Sequence, residues 1–364
     1  MQKKLLFVIR SLSGGGAERV ISNLANHFNT MGYKVTLVCL DEGEIKYALA
    51  PEVNLESLVK RGSQNNIFYR GYYALLTFYR LFDLIRRMQP LCCISFMTSV
   101  NIWTGLCCLL LNKNYIVSER TSPYYSLEKL NSFTKFMAFR IYSKAKAVVL
   151  PSKKMIETFK SLRHFKNLKN LVAIYNPVHV FNAFNAGGEP LNPFILSVGR
   201  LDYDKGFDLL IDAFASIKNQ NVDLLISGTG PNEEILEKRA ADLGLQSRVK
   251  FIGFQKNLQD YYSKATVFVL ASRVEGYPNA LVEAMSMGAA VISTECDFGP
   301  TEIIQHGING LLVPVDDTET LKNALNELLG DEQLRIALSI NAQRINETNS
   351  IDNIAEKWNN LILS

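Results

Sequence analysis

The chain has 364 residues, 48% hydrophobic and 20% charged, a composition that excludes a disordered or low-complexity protein and suits two domains of roughly 150 residues each. Its net charge of +4 conceals a split: residues 1–177 carry 25 Lys and Arg against 10 Asp and Glu, a net +15, and the remainder carries −11. That asymmetry predicts an anionic partner for the first half. With no zinc spacing, aromatic RNA-binding motif or basic heptad region, nucleic acid is not expected, and an anionic membrane face is.

Met1-Gln2-Lys3-Lys4 leads straight into Leu5-Leu6-Phe7-Val8-Ile9, an apolar run too short for a secretory signal and suited to a buried strand. Strand and helix patterns then alternate throughout, which predicts parallel sheets covered on both faces. First-half strands are expected at Lys4–Ile9, Lys34–Cys39, Val53–Leu58, Cys92–Phe96, Tyr115–Ser118, Ala147–Leu150 and Val172–Tyr175. Residues 178–193, with Gly187, Gly188, Pro190 and Pro193, have linker composition. A second series follows at Phe194–Val198, Asp223–Ser227, Val249–Ile252, Val267–Ala271, Ala290–Thr294 and Gly310–Val313, before polar helical stretches from Thr318 to Leu363. Domains are therefore expected at 1–177 and 194–348, with a terminal helix at 349–364.

The stretch Leu91–Leu111 lacks charge and is long enough to span a bilayer. It also carries Ser95, Thr98, Ser99, Asn101 and Thr104, so a strand followed by a buried helix capped by Asn101 is the expectation. The six cysteines, in two adjacent pairs plus Cys39 and Cys296, fit neither a disulfide framework nor Cys-x-x-Cys metal spacing. They read as small buried hydrophobes in a reducing compartment.

Ser13-Gly14-Gly15-Gly16-Ala17-Glu18-Arg19 follows the first strand and opens a helix from Ala17 to about Met31. Glycines there, Gly15 and Gly16 among them, let backbone N–H groups approach an anion at a helix N-terminus. The pattern does not fit the G-x-G-x-x-G dinucleotide fingerprint, and no nicotinamide cofactor is expected. Phe68 to Met88 interleaves aromatics with Arg70, Arg80 and Arg87. That mix suits an interfacial surface or a lipid diphosphate, or else an amphipathic core helix with snorkelling arginines.

In the second half, Gly199-Arg200-Leu201-Asp202-Tyr203-Asp204-Lys205-Gly206 closes a strand and places Arg200 and Lys205 near its end, able to hold two phosphates. Asp202 and Asp204 invite a metal-binding reading, but acids here would pair with the two cations or face solvent, and no metal is expected. Ser227-Gly228-Thr229-Gly230-Pro231 is a further phosphate-side turn. Glu275-Gly276-Tyr277-Pro278-Asn279-Ala280-Leu281-Val282-Glu283 sets two carboxylates eight residues apart across a loop and a helix start. Pro278 can begin that helix, and the first-turn N–H groups at Asn279, Ala280 and Leu281, beside Gly276, form a seat for a diphosphate. Glu283 can accept from two ribose hydroxyls, and Glu275 from hydroxyls of a sugar near its reacting carbon. Two helix-start acids complementing the dipole are the plainer alternative.

The E-x7-E segment, with the complete G-R-L-x-x-x-K-G pattern at Gly199–Gly206, resembles the retaining glycosyltransferases of the GT4 family over essentially the whole chain. The resemblance implies the GT-B fold: two doubly wound Rossmann-like α/β domains facing a cleft, with the last helix crossing back to the first domain. It implies that the glycine loop faces the donor diphosphate and acceptor. It also implies that Arg200 and Lys205 hold the leaving diphosphate, that Gly253 and Phe254 lie near the base, and that catalysis needs no metal. Gly299-Pro300-Thr301-Glu302 resembles a motif of bacterial members and suggests a donor-sugar contact at Gly299, with a plain helix start as its rival. Several relatives carry a histidine just after the strand that here ends in Ser118-Glu119-Arg120. His27, His164, His179 and His306 stand elsewhere, so a histidine base is not expected, and Arg120 is left to bind acceptor phosphate or the departing oxygens.

The function these features imply is transfer of a hexose or N-acetylhexosamine from a UDP-sugar to a lipid-linked saccharide in bacterial glycan assembly. The setting would be the cytoplasm, at the inner face of the membrane. The alternatives are a silent sugar-nucleotide-binding subunit that docks an assembly complex to the membrane, and a sugar-nucleotide epimerase of the same fold.

Overall fold

The computed structural model describes residues 2–60, 67–178, 193–255 and 257–364. The expected linker lies outside these residues except at its two ends, as does His179. The chain divides into two compact units, Met1–Pro177 together with Ile351–Ser364, and Val178–Ser350.

The first unit contains strands β1 (Lys4–Ile9), β2 (Lys34–Asp41), β3 (Asn54–Val59), β4 (Cys92–Phe96), β5 (Tyr115–Ser118), β6 (Ala147–Leu150) and β7 (Leu171–Ala173). Its helices are α1 (Gly16–Thr30), α2 (Ile67–Met88), α3 (Thr98–Leu110), α4 (Pro123–Ser126), α5 (Ser132–Lys144) and α6 (Lys153–Ser161). The seven strands pair in parallel in the order β3-β2-β1-β4-β5-β6-β7. Strands such as β1, apolar from Leu5 to Ile9, and β6, Ala147–Leu150, read as apolar runs because helices bury both faces of the sheet.

Crossover handedness assigns the helices to faces. Steps from β3 to β4, β4 to β5 and β5 to β6 all run opposite to the step from β1 to β2. Right-handed crossovers therefore put α2, α3 and α5 on one face and α1 on the other. On the α1 face, the terminal helix α15 (Ile351–Leu363) packs beside α1 and buries Ile354, Ala355, Trp358 and Ile362 in the same core as Val20, Ile21, Leu24 and Phe28.

On the opposite face α3 lies between α2 and α5. Gly105 permits the close approach of α3 and α5: a Cβ there would stand 2.2 Å from Ile141 Cγ2 and 3.2 Å from Tyr115. Ile141 is β-branched and stiff, so it cannot swing clear. Gly105→Ala is expected to lower stability by about 1–3 kcal/mol. An unchanged urea midpoint for that variant would mean the two helices separate freely.

The charge-free run Leu91–Leu111 folds as β4 and α3, and among the described residues no helix is long and apolar enough to cross a membrane. The cap differs from the sequence expectation. The helix begins at Thr98, after Met97 in left-handed backbone (φ 80°), which places Asn101 inside the first turn, fully buried. Its side chain is consumed by the core, accepting from Ser95 Oγ at 2.8 Å and donating to the Ser118 carbonyl at 2.9 Å. All six cysteines are buried and free.

The second unit contains β8 (Phe194–Val198), β9 (Asp223–Ser227), β10 (Val249–Gly253), β11 (Val267–Leu270), β12 (Val291–Thr294) and β13 (Leu311–Val313). Between and after them run α7 (Phe207–Ala215), α8 (Glu233–Asp242), α9 (Gln259–Lys264), α10 (Asn279–Ser286), α11 (Pro300–Ile303), α12 (Thr318–Gly330), α13 (Glu332–Ala342) and α14 (Ile345–Thr348). The sheet is parallel in the order β10-β9-β8-β11-β12-β13. Strand order reverses between β8 and β11 here, and between β1 and β4 in the first unit. In open parallel sheets such reversals open a crevice at the strand C-termini, where ligands bind.

Candidate active site

The loops after β8 and β11 leave the second unit's sheet side by side at its reversal point. The first turns through Tyr203–Lys205 to Gly206 in left-handed backbone (φ 64°), where a Cβ would stand 2.0 Å from the Ala271 carbonyl oxygen. Only glycine lets this loop lie against the end of β11. The contact brings Lys205 Nζ to 2.6 Å from Glu275 Oε1, which also accepts from Ser272 Oγ at 2.7 Å. Glu275 is buried, whereas Lys205 keeps a quarter of its side chain exposed. Burial works against the lysine's charge, but the Glu275 carboxylate more than offsets it, so the ammonium is held above the ordinary lysine range.

Arg273, which the sequence reading did not single out, staples the two loops. Its guanidinium donates to both Asp208 oxygens at 2.9 and 2.7 Å, to Asp316 at 2.7 Å and to the Tyr203 carbonyl at 2.8 Å, and lies 4.0 Å over the Tyr203 ring. Its backbone N–H donates to the Asp204 carbonyl at 2.7 Å. The carboxylate of Asp208 leads in raising its pKa, so the staple stays charged at any working pH.

Of the two acids preceding Lys205, Asp202 forms an ion pair with Arg200, 3.4 Å from its Nε, while the lysine itself turns to Glu275. Arg200 is mostly exposed, so its fork is accessible to a ligand. Pro278 takes the cap position rather than the first helical one, and α10 opens with Asn279. Gly276 precedes that cap, Ala280 and Leu281 follow Asn279 in the first turn, and Leu281 is fully buried. The Tyr277 hydroxyl accepts from Asn349 Nδ2 at 2.7 Å, which ties the loop to the far end of the unit. Glu283 is buried in α10 and accepts from the Tyr262 hydroxyl of α9 at 3.1 Å, a partner far away in sequence.

The structure gives the neighbouring glycines a packing reason. A Cβ on Gly228 would stand 1.8 Å from the Gly199 carbonyl oxygen, and one on Gly230 would stand 2.3 Å from that of Leu201. The turn after β9 thus rests directly on the Arg200 loop. Gly299 (φ 94°) leaves room for Pro278 Cδ, 2.3 Å from its would-be Cβ, so the loop after β12 leans on the segment between the two glutamates. Gly253, also left-handed (φ 64°), receives the Gly228 N–H on its carbonyl at 2.9 Å, and Phe254 beside it is part exposed. Arg200, Lys205, Glu275 and these four glycines therefore belong to interlocked loops at one end of one sheet.

In the first unit Gly15 caps α1 with extended backbone and Gly16 begins the helix. The Gly14 N–H donates to Glu18 Oε2 at 2.5 Å, so a carboxylate of the chain itself sits on the glycine loop. Burial pushes the Glu18 carboxyl up, against hydrogen bonds from Gly14, Ser11 and Gly15. Beyond β5, Glu119 is wholly buried and accepts from Thr98 Oγ1 at 2.7 Å, from Asn101 Nδ2 at 3.1 Å and from the Tyr142 hydroxyl. Arg120 packs against the stacked rings of Phe96 and Trp358 of α15, its guanidinium 4.2 and 5.7 Å from their centroids, and donates to Asn176 Oδ1 at 2.5 Å. Burial pulls its pKa down to about 9 despite the adjoining carboxylate.

Arg120 stands apart from the α2 arginines. Arg70 is exposed, Arg80 donates to the Leu58 carbonyl, and Arg87 pairs with Asp83 at 2.7 Å. Among the described residues no group of three His, Cys, Asp or Glu side chains could hold a metal ion.

Comparison with known proteins identifies the family and the fold. The family model described as "Glycosyltransferase Family 4" matches residues 14–180, and "Glycosyl transferases group 1" matches residues 183–345. A 4-alpha-N-acetylgalactosaminyltransferase of Campylobacter jejuni, named for a diphospho-undecaprenol substrate, is 30% identical and spans 93% of each chain. A second C. jejuni enzyme, an alpha-1,4-N-acetyl-D-galactosaminyltransferase whose name also carries PP-undecaprenol, is 29% identical over 99% of this chain and 98% of its own. Among solved structures, sucrose-phosphate synthase from Thermosynechococcus elongatus superposes with a TM-score of 0.80 at 19% identity, covering 99% of this chain and 98% of that one. Anabaena HepE in complex with UDP superposes with a TM-score of 0.77 at 19% identity, covering 99% of both chains. With both its halves matched and its two doubly wound sheets shared with these neighbours, the chain belongs to the group 1, family 4 glycosyltransferases and has the GT-B fold.

Proposed function

We propose that the protein is a retaining glycosyltransferase that moves a hexose or N-acetylhexosamine from a UDP-sugar to a lipid-linked saccharide in bacterial polysaccharide or glycan assembly, working at the inner face of the membrane. The observation that carries this reading is the Lys205–Glu275 pair, 2.6 Å apart on adjacent strand-end loops, with Arg200 open to solvent beside it. A cation and a carboxylate held together in this way suit a donor with a diphosphate at one end and sugar hydroxyls at the other. Support for the lipid diphosphate acceptor comes from the names of the C. jejuni relatives, and support for UDP from the HepE complex.

In the proposed reaction Lys205 and Arg200 stabilise charge growing on the departing diphosphate, while Glu275 turns from Lys205 to the sugar hydroxyls. The acceptor oxygen bonds to the anomeric carbon on the face the diphosphate leaves, and its proton passes to a diphosphate oxygen. No enzymatic nucleophile and no metal is needed, because the two side-chain cations supply the positive charge. Arg120 is assigned to acceptor phosphate, and Glu283 to the ribose.

Transfer from a panel of UDP-sugars to short lipid-diphosphate saccharides, followed by mass spectrometry, tests the reading. A product with inverted anomeric configuration, or no product with any UDP-sugar, would overturn it. Chelation by EDTA is expected to leave the rate unchanged. Glu283→Gln keeps the bulk of the side chain but offers one acceptor oxygen in place of two. It is expected to weaken UDP binding about tenfold by calorimetry, with little change in kcat.

A further inference from the structure

Arg273 stands two residues before Glu275, yet its side chain is turned to the protein rather than to a ligand and keeps only 10% of its surface exposed. Four of its five N–H groups are taken: Nε by Asp316, Nη1 by the Tyr203 carbonyl and one Asp208 oxygen, and Nη2 by the other Asp208 oxygen. A lysine could not do this, because an ammonium has no planar fork with which to hold both oxygens of a carboxylate.

The segments it joins are those whose relative position the Lys205–Glu275 contact needs. Tyr203 and Asp204, whose carbonyls accept from the Arg273 side chain and backbone, immediately precede Lys205. Asp208 stands in the first turn of α7 just after it, and Glu275 is on the arginine's own loop. Lys205 and Glu275 by themselves make one contact between two rotatable side chains. Bonds before and after the lysine fix the loop that carries it. Asp316 is a second sign of such a clamp. It lies between β13 and α12 in left-handed backbone (φ 60°), a conformation that costs a non-glycine residue energy and persists where its surroundings over-determine it. Its 2.7 Å bond from Arg273 Nε gives an aspartate a reason to be there.

We propose that Arg273 is a positioning residue for sugar transfer, acting with Asp208 and Asp316 to hold Lys205 against Glu275 where the diphosphate departs. The inference rests on the reaction proposed above and adds the residues that set its geometry. Arg273 is assigned no contact with substrate, so its effect on rate must pass through the pair.

The test is steady-state transfer by Arg273→Lys, Asp208→Asn and Asp316→Gly, with the number of folded sites counted by UDP calorimetry. Arg273→Lys is expected to lower kcat about tenfold and Asp208→Asn about fivefold, both with the acceptor KM unchanged. Asp316→Gly relaxes the backbone while deleting the carboxylate, so its urea midpoint should match the parent's while kcat falls about threefold. The deciding readout is a double-variant cycle. In a Lys205→Ala background, Arg273→Lys should change kcat by less than about twofold, because an effect carried by the lysine has no other route. An arginine that only stabilised the fold would cost the same in both backgrounds. An additive cycle, or parent-like kcat in Arg273→Lys, would therefore overturn the proposal. Should Arg273→Lys not fold, Asp208→Asn carries the same cycle. Parent-like turnover in Lys205→Ala would sink the proposed reaction but not the clamp, which the cycle on Glu275→Gln would then decide.

Discussion

Lys205→Ala and Glu275→Gln are each expected to lower turnover about 10²-fold or more, the usual loss when one charge-stabilising group is removed from a transition state. The two side chains share one short contact and, in the proposed reaction, act on the two ends of one bond-breaking event. Their double variant should therefore lose little more than either single one, because groups acting as a unit are far from additive. Initial rates with saturating acceptor, set beside UDP binding by calorimetry, separate lost catalysis from lost affinity. Glu275 holds the lysine charged above its ordinary range. No fall in rate attributable to Lys205 is thus expected between neutral pH and about 10. Parent-like turnover in both variants would remove the pair from the mechanism.

Glu119→Ala is expected to destabilise the first unit by about 3 kcal/mol or more. The substitution strands two buried donors, the Thr98 and Tyr142 hydroxyls, takes one acceptor from the Asn101 amide, and leaves the Arg120 charge buried without its neighbouring carboxylate. The pH dependence has a definite sign. Burial raises the Glu119 carboxyl in the folded state, against its hydrogen bonds, so the folded chain holds this proton more tightly than the unfolded one. Its contribution is fully present below the ordinary glutamate value of about 4.3 and falls as pH rises through the raised value. The gap between parent and variant in urea unfolding should accordingly narrow as pH climbs from acid toward neutral. A gap that widens instead would mean that the buried carboxylate is ionised and stabilised by its donors throughout.

Much of the fold was legible in the sequence because a strand buried on both faces is a mostly apolar run. β1, β4, β5, β6, β8 and β9 have the bounds that the pattern predicts, while the ends of β2, β3 and β7 shift by one or two residues. Those ends are decided by hydrogen bonds to neighbouring strands, which periodicity does not encode. The same limit applies to α3. A polar residue before an apolar helix reads as a cap, but Asn101 is claimed by Ser95 and the Ser118 carbonyl in the core, and the helix starts earlier.

For the site, the sequence alone determined which residues stand at strand ends. Glycine patterns and paired charges mark loops that carry ligands, and Arg200, Lys205, Glu275 and Glu283 announce themselves in contiguous motifs. What holds those residues in place comes from contacts between distant segments. Arg273 and Asp316 meet across 43 residues, Tyr262 and Glu283 across 21, and Trp358 covers Arg120 from the far end of the chain. The tertiary structure also showed that the glycine loop already holds the Glu18 carboxylate, and that the aromatic residues of α5 join those of α2 on one exposed face. Each of these is a relation between segments that the sheet order brings together, and a one-dimensional pattern carries no distance between them.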